Sequence, residues 1–346
     1  MGNLPSERLE PQPPFYICGV DYAGPLMIKN KKGRGSKLSK CYVSLFICFV
    51  TKAIHLELVS DLTKDSFILA LRRFVARRGK PLRIFSDNGK NFVSASSELA
   101  ELGKFIQSHE LQLTESFSIE GIEWKFIPPY SPHFGGLWEA GVKSIKYHMK
   151  RVMGNAHLTF EELYSLLTQI EAIVNSRPLT PLSTHPSDPL PLTPAHFLVG
   201  RSLIGVPDAD LRTVPQNKLS SYERMQQITQ HFWERWSKEF ISEVQHRLKW
   251  KTSQQQLKTG TIVLIKEEDQ PPMVWKLGRI EAVHPGKDGI NRVATILTST
   301  GMVKRSFNRI CPLPIEEIES QSFQGGGHVQ AFTLYSHSLP GCQTQP

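Results

Sequence analysis

The stretch ICGVD, residues 17–21, is an apolar run that carries a carboxylate at its end. Its composition predicts a buried strand, where a charged side chain is costly unless it is paired or binds a metal. A second apolar run, IFSD at residues 84–87, also ends in an aspartate. The two predicted strands therefore each deliver an acidic side chain, Asp21 and Asp87, from a rigid element.

A third carboxylate, Glu139, follows the segment GGLW and opens a predicted helix from about Gly136 to Met153. An apolar stripe at helical spacing supports that helix, and its members are Trp138, Val142, Ile145, Met149 and Val152. Glu139 shares the adjoining face with Lys143, Lys146 and Lys150. These lysines indicate either an ordinary solvated face of i,i+4 pairs or a basic track for phosphates beside a metal ligand. The Gly-Gly pair and the Pro-rich loop before it favour the second interpretation, because they permit a mobile active-site flap.

Each carboxylate also has an ordinary explanation when it is taken alone. Asp21 could end a strand before the turn at residues 22–25, and Ser-Asp-Asn-Gly around Asp87 is a turn signature. Glu139 could be a first-turn glutamate that the helix dipole favours. Together, however, three carboxylates on rigid elements are what a two-metal phosphoryl-transfer site needs. The joint pattern therefore predicts a polynucleotidyl transferase.

An α/β core with a mixed sheet is predicted for residues 15–200, after a disordered segment at residues 1–14. Apolar runs come first and helices then alternate with strands, which is typical of this fold class. The predicted strands are Phe15–Val20, Cys41–Val50, Ala53–Val59, Leu82–Ser86 and Gly121–Ile127. Four helices are predicted in this region. The first begins at Thr63 or Asp65, the second covers Ser94–His109 and the third covers Gly136–Met153. The fourth begins at Thr159, which forms a capping box with Glu162.

Three further regions follow the predicted core. Residues 201–258 are predicted to be a Pro-rich and helical linker, with an aromatic helix over Ser221–Trp250. Residues 259–314 carry short alternating strands separated by turns, which is typical of a small all-β barrel. Its predicted strands are Thr261–Lys266, Trp275–His284, Arg292–Leu297 and Val303–Asn308. Residues 315–346, rich in Ser, Gln and Gly, are predicted to form a disordered tail.

The net charge of +9 lies in the two regions that are predicted to fold. Residues 1–200 carry 23 Lys and Arg against 18 Asp and Glu, and residues 201–314 carry 18 against 11. This excess suits a polyanionic partner. The chain has no apolar run of about 18 residues and no signal-peptide core, so we expect an intracellular protein that does not enter a membrane. The five cysteines form no CxxC pair and are predicted to be buried apolar residues.

Two segments, IFSDNGKNF at residues 84–92 and FIPPYSPHFGGLWE at residues 126–139, resemble the catalytic core of retroviral and retrotransposon integrases. The acidic triad of that family falls, residue by residue, on Asp21, Asp87 and Glu139. The resemblance covers about residues 12–314. Within the family, the chain is most similar to the Bel/Pao retrotransposon group, through AIHLELV at residues 53–59, GGLWE at residues 135–139 and WKLGRI at residues 275–280.

The resemblance implies a ribonuclease H-like core whose three carboxylates clamp two Mg²⁺ or Mn²⁺ ions about 3.5–4 Å apart. It implies an enzyme that trims the 3′ ends of a retrotransposon and joins them to target DNA in the nucleus, as a homo-oligomer. The predicted barrel would bind the DNA backbone with little sequence preference. The basic residues predicted to contact DNA are Lys143, Lys146 and Lys150 of the helix and Lys266, Lys276, Arg279, Arg292, Lys304, Arg305 and Arg309 of the barrel.

The sequence departs from the family pattern in two places. The interval from Asp87 to Glu139 is longer than in retroviral integrases, and no His/Cys zinc module precedes the core. We therefore expect either a fragment of a polyprotein or a domesticated copy. Two other functions stay open: a ribonuclease H-like nuclease that cuts without joining, and a non-catalytic DNA- or chromatin-binding protein derived from an integrase.

Overall fold

A mixed sheet lies at the centre of the N-terminal half of the chain. Its order is β3-β2-β1-β4-β5, with β1 antiparallel to β2, β2 antiparallel to β3, and β4 and β5 parallel to β1. The strands are β1 (Ile17–Lys29), β2 (Leu38–Cys48), β3 (Ile54–Val59), β4 (Arg83–Ser86) and β5 (Glu123–Phe126). The computed structural model describes residues 10–33, 35–86, 108, 121–126, 132–154, 156–182, 190–251, 257–267, 270–287 and 291–313. Residues up to Pro314 group into one unit, and every contact below lies within it.

Helices cover both faces of this sheet. They are α1 (Lys64–Arg78), α2 (Pro132–Met153), α3 (Phe160–Asn175), α4 (Pro194–Val199) and α5 (Ser221–Lys251), and the short strands β6 (Leu158–Thr159), β7 (Thr180–Pro181) and β8 (Pro191–Leu192) lie between them. On one face, α1 packs Phe67, Leu71 and Phe74 against the sheet. On the other face, α2, α3 and α5 share one apolar cluster with it. Burial on two faces explains why the strand sequences are continuous apolar runs.

The structure corrects two interpretations of the acidic residues. Asp21 does not end a strand, because β1 continues for eight residues beyond it to Lys29. Glu139 does not open a helix, because α2 begins at Pro132 and Glu139 lies about two turns inside it. The same helix includes Gly135 and Gly136, whereas the Pro-rich loop before it lies outside the described residues, so the predicted mobile flap stays a prediction.

The helix starts follow local capping. Thr63 is the N-cap of α1, where its hydroxyl accepts a hydrogen bond from the backbone N–H of Ser66. At α3 the predicted capping box is confirmed, because Thr159 and Glu162 each accept the other's backbone N–H. The predicted helix Ser94–His109 lies almost entirely outside the described residues. No helix in the described ranges has the length and apolar character needed to cross a membrane.

The aromatic helix α5 packs on the α/β core. Phe232, Trp233 and Trp236 are buried in the same apolar cluster as the sheet. Two buried glutamines of α5 also hold the preceding segment: Gln227 donates to the carbonyls of Leu211 and Val214, and Gln230 pairs with Leu211 and Ala209. The N-terminal half of α5 is therefore joined to the core by apolar and polar contacts. The division into five regions stays a prediction.

A second, antiparallel sheet follows α5. Its order is β12-β11-β10-β9-β13, and its strands are β9 (Ile262–Ile265), β10 (Leu277–Pro285), β11 (Asn291–Thr298), β12 (Gly301–Ser306) and β13 (Ile310–Pro312). The first four match the predicted strands, whereas β13 was not predicted. Among the described residues the pairing is an open ladder, with one apolar cluster on each side. The predicted α/β core with a mixed sheet, followed by a helical segment and an all-β region, is confirmed. The closure of that region into a small barrel and the ribonuclease H-like character of the core stay predictions.

The module is fixed to the rest of the unit at several points. Ile241 of α5 shares an apolar cluster with β9 and β13. Gln245 of α5 donates to the carbonyl of Ile310 at 2.8 Å. Trp275 packs against Trp233 and donates its indole N–H to Ser176 Oγ at 3.1 Å. These contacts give the module a defined position on the core.

Side chains close the free edge of the sheet at β3. Asn175 both accepts from Ile54 N–H (2.9 Å) and donates to Ile54 carbonyl (2.7 Å). Glu171 accepts from Leu56 N–H at 2.8 Å, and Arg73 donates to the carbonyl of Leu58 at 2.9 Å. An exposed strand edge is a template for pairing with another chain, and side chains of α1 and α3 occupy four backbone groups of this edge.

Buried charges accompany that closed edge. Glu57, fully buried on β3, accepts hydrogen bonds from Arg73 (2.6 Å), Arg77 (3.1 Å) and His55 (2.9 Å). Burial by itself would raise the pKa of Glu57, but the bonds from His55 and Arg73 outweigh it and hold that pKa below its ordinary value. Burial likewise would lower the pKa of His55, yet its bonds to Glu171 and Glu57 raise it. Both shifts favour the charged forms of the two side chains.

Replacing Glu57 with Gln should destabilise the fold by about 3 kcal/mol at neutral pH, because it removes the buried carboxylate that Arg73, Arg77 and the buried His55 share. Since the pKa of Glu57 is lowered on folding, its contribution is present above its ordinary value of 4.5 and is lost as the pH falls. The difference between the two proteins should therefore shrink below that pH. Denaturant unfolding at neutral and acidic pH measures both effects.

The matched control is Glu123→Gln, which removes a carboxylate that is 46% exposed and paired with Arg83 at 2.6 Å. An exposed pair should contribute only about 0.5 kcal/mol or less. Equal losses of stability in the two variants would contradict the assignment of Glu57 to a structural charge cluster.

Candidate active site

Asp21 lies on the central strand, beside the end of β4. Strand pairing joins Asp21 to Leu45 on one side, and on the other side the ladder with β4 ends at the pair Val20 and Ser86. Alternation along β1 places Asp21 on the face that packs against α2, because Ile17 and Ala23 contribute to the cluster on that face. Only part of its side chain, 21%, is exposed. The carboxylate thus lies near the surface, between the sheet and α2.

Both oxygens of the Asp21 carboxylate are engaged. Oδ1 accepts a hydrogen bond from the backbone N–H of Tyr22 at 2.6 Å. Oδ2 accepts from the ammonium of Lys146, which lies on α2, at 2.7 Å. The Lys146 side chain is 26% exposed. A single cation from the helix that carries Glu139 therefore compensates the charge of Asp21.

The lysine face of α2 is distinct from its apolar stripe, as predicted. Ile145 and Met149 are buried, while Lys143 and Lys150 are exposed and Lys146 is half-buried. Lys146 is the lysine of this group that reaches the sheet. A role as simple i,i+4 partners of Glu139 does not explain why Lys146 contacts Asp21.

The end of β4 is fixed by a contact that sequence reasoning missed. Ser86 is buried, and its hydroxyl accepts a hydrogen bond from the indole N–H of Trp124 on β5 at 3.1 Å. The registers Ser86 with Val20 and Ser86 with Phe126 tie the same residue to both neighbouring strands. A Trp four residues before a Pro-Pro loop gives no sequence signal for this contact. The hydrogen bond from Trp124 fixes Ser86, which immediately precedes Asp87 in the sequence.

The remaining two triad residues are described less fully. Asp87 lies outside the described residues, and for Glu139 the structure gives the helix but not the side chain. Among the side chains that the structure does describe, no group of three His, Cys, Asp or Glu could hold a metal ion. The convergence of all three carboxylates therefore stays a prediction. Asp21 itself is a suitable donor, because its anionic oxygen already holds a cation and hard divalent ions prefer carboxylate oxygens.

The basic residues of the all-β module fall into two groups. Lys276 and Arg305 both bind Glu267, each at 3.0 Å. Burial would raise the pKa of Glu267, but the bonds from Lys276 and Arg305 outweigh it and lower that pKa, so the three side chains form a charged cluster. The other predicted DNA contacts are half-buried at Lys266 and Arg279 and exposed at Arg292, Lys304 and Arg309. The exposed group is the more accessible to a polyanion.

The C-terminal part of the described chain matches a known family. Residues 220–313, which span α5 and the all-β module, match a family of unknown function, DUF5641. No curated protein matches the chain.

Several solved structures show a loose likeness at low identity. A simian T-cell lymphotropic virus intasome in complex with PP2A regulatory subunit B56 gamma is 14% identical, with a TM-score of 0.34 over 91% of this chain and 85% of that chain. The catalytic core domain of BIV integrase is 13% identical, with a TM-score of 0.34 over 54% of this chain and 95% of that chain. The HTLV-2 integrase catalytic core domain in complex with magnesium is 17% identical, with a TM-score of 0.30 over 54% and 97%.

If Asp21, Asp87 and Glu139 converge on one metal site, Fe²⁺ bound there should cut the backbone close to all three residues. With ascorbate and peroxide, bound Fe²⁺ releases hydroxyl radicals that react within a few bond lengths of the ion. Mass spectrometry of the fragments reads the cut positions. Asp21→Asn should abolish all three sets of cuts, because it removes a shared ligand. Cuts near residue 21 without cuts near 87 or 139 would refute the triad.

Proposed function

We propose that this chain is an integrase-type polynucleotidyl transferase that processes the 3′ ends of a retrotransposon DNA and joins them to target DNA. The observation that carries the proposal is the position of Asp21. It lies on the central strand, next to the end of β4 that leads into Asp87, and it contacts the helix that carries Glu139. Three distant parts of the sequence thus approach one point.

Strand alternation supports the same arrangement. Phe85 of β4 contributes to the cluster on the Asp21 face of the sheet. Asp87 lies outside the described residues. The side of the sheet on which it lies is therefore part of the proposal: two residues after Phe85, it would face Asp21.

Asp21, Asp87 and Glu139 would hold two Mg²⁺ or Mn²⁺ ions. When bound, such ions activate a water or a DNA 3′-hydroxyl and stabilise the leaving oxygen of an in-line displacement at phosphorus. The protein side chains supply position and charge: the sheet fixes Asp21, the Ser86–Trp124 contact fixes the end of β4, and the lysines of α2 attract the phosphates. The chain would act in the nucleus, as a homo-oligomer on DNA, and would belong to the Bel/Pao group of retrotransposons.

A specific observation favours a second function, that of a non-catalytic DNA- or chromatin-binding protein. Lys146 neutralises Asp21 at 2.7 Å, so this carboxylate needs no metal for its charge to be compensated. Its retention would then be consistent with a structural ion pair. An activity assay separates the two functions.

A branched DNA that mimics a strand-transfer product tests the activity, because its resolution is the reverse of joining and needs little end sequence. The wild-type chain with Mn²⁺ should release one arm and seal the other strand. Asp21→Asn should lower this rate by more than about a hundredfold, because it removes a ligand of the reacting centre. Cleavage without sealing would indicate a nuclease. Binding of the DNA without reaction would leave the non-catalytic function.

The exposed basic residues of the module should contribute phosphate contacts. Lys304→Glu with Arg309→Glu should reduce the slope of log K against log salt by about 2, since each lost phosphate contact removes about one unit. The loss should be uniform across DNA sequences. The control is Lys276→Gln, whose charge Glu267 already compensates, and it should change the slope less. Unchanged affinity of the double variant at low salt would exclude this surface from DNA binding.

A further inference from the structure

The contact between Lys146 and Asp21 joins two groups to which the proposed function gives different partners. In that function Asp21 holds a divalent cation, while Lys146 binds a DNA phosphate. In the structure the ammonium of Lys146 lies 2.7 Å from Asp21 Oδ2 instead. Oδ1 accepts the N–H of Tyr22. A divalent cation that binds Asp21 therefore competes with the ammonium of Lys146 for the same negative charge.

The surroundings allow Lys146 to leave without disturbing the fold. Asp21 is held by β1, which is paired on both sides, and α2 is anchored by Ile145 and Met149, which are 1% and 2% exposed. The two charged side chains themselves are partly exposed, at 21% and 26%. Pairs that contact water contribute little net stability, so an exchange of partners costs little. Only the flexible lysine side chain has to move.

We propose that Lys146 is a built-in counter-ion of Asp21 that couples cation loading to DNA binding. Lys146 compensates Asp21 while no divalent cation is bound. Loading of a cation at Asp21 displaces the ammonium, which is then free to bind a phosphate of the DNA. This inference rests on the proposed function, because it assumes that Asp21 binds a divalent cation.

The coupling between cation binding and DNA binding depends on Lys146 and not on Lys143 or Lys150. Lys143 and Lys150 are on the same helix but are exposed, and no contact with Asp21 is described for either. Linkage requires that the effect be reciprocal: if cation binding strengthens DNA binding through Lys146, then DNA binding strengthens cation binding by the same factor. Lys143 therefore provides a matched control that removes one lysine from the face without touching the pair.

The first measurement is Mn²⁺ binding to the full chain without DNA, by titration calorimetry or electron paramagnetic resonance. Lys146→Met should bind Mn²⁺ about fivefold more tightly than wild type, because its competitor is gone. Lys143→Met should stay within about twofold of wild type, since exposed charges are largely screened. Lys146→Arg keeps the competing charge and should stay close to wild type. Thermal melting of each variant verifies that it is folded.

The second measurement is the affinity for a random-sequence DNA duplex in Ca²⁺ and in EDTA, by fluorescence anisotropy. Wild type and Lys143→Met should both gain affinity in Ca²⁺, and Lys146→Met should lose most of that gain. If the wild-type chain binds no Mn²⁺, or if Asp21→Asn does not abolish the binding, the metal site and the proposed function are both refuted. Mn²⁺ binding that depends on Asp21 but is equal in wild type and Lys146→Met would overturn this inference alone.

Discussion

The structure depends on the central strand β1, which is paired on both sides and covered on both faces. Such a strand has to be apolar, because an uncompensated charge within it would be strongly destabilising. Its sequence meets that requirement at Cys18, Val20 and Tyr22, which are all buried. Asp21 is the exception, and it is tolerated because it lies near the surface and is paired with Lys146. The charged residue of the segment Ile17–Tyr22 is therefore also its candidate functional residue.

Much of the fold could be predicted from the sequence, because the apolar runs are long and the helices have clear caps. The ends of elements were harder. Tyr22–Pro25 has the composition of a turn, yet β1 continues through it with an irregular register between Ala23 and Leu26. Gly24 is required there, since it has a φ of 133° and a Cβ would lie 2.9 Å from the ring of Tyr42. Strand pairing with β2 prevails over the local turn preference.

The candidate site was only partly predictable. Regular spacing gave the lysine face of α2, but the contact of Lys146 with Asp21 joins residues 125 positions apart, which no local pattern reveals. The same holds for the buried cluster around Glu57. His55 and Glu57 are adjacent on one face of β3, but their partners lie on α1 and α3. The aromatic residues of α5 were visible in the sequence, but their burial against the sheet depends on the packing of α2 and α3.

The fixed attachment of the all-β module has a geometric consequence. Trp275 joins it to Ser176 of the core, and Gln245 joins it to α5, so the distance from Asp21 to the exposed basic residues of the module is set by the protein. If the proposed function is correct, DNA would contact both regions at this fixed separation. A stiff duplex, with a persistence length of about 150 base pairs, could reach both regions only along paths that match the separation. The protein would then select the curvature of such a duplex before any chemistry takes place.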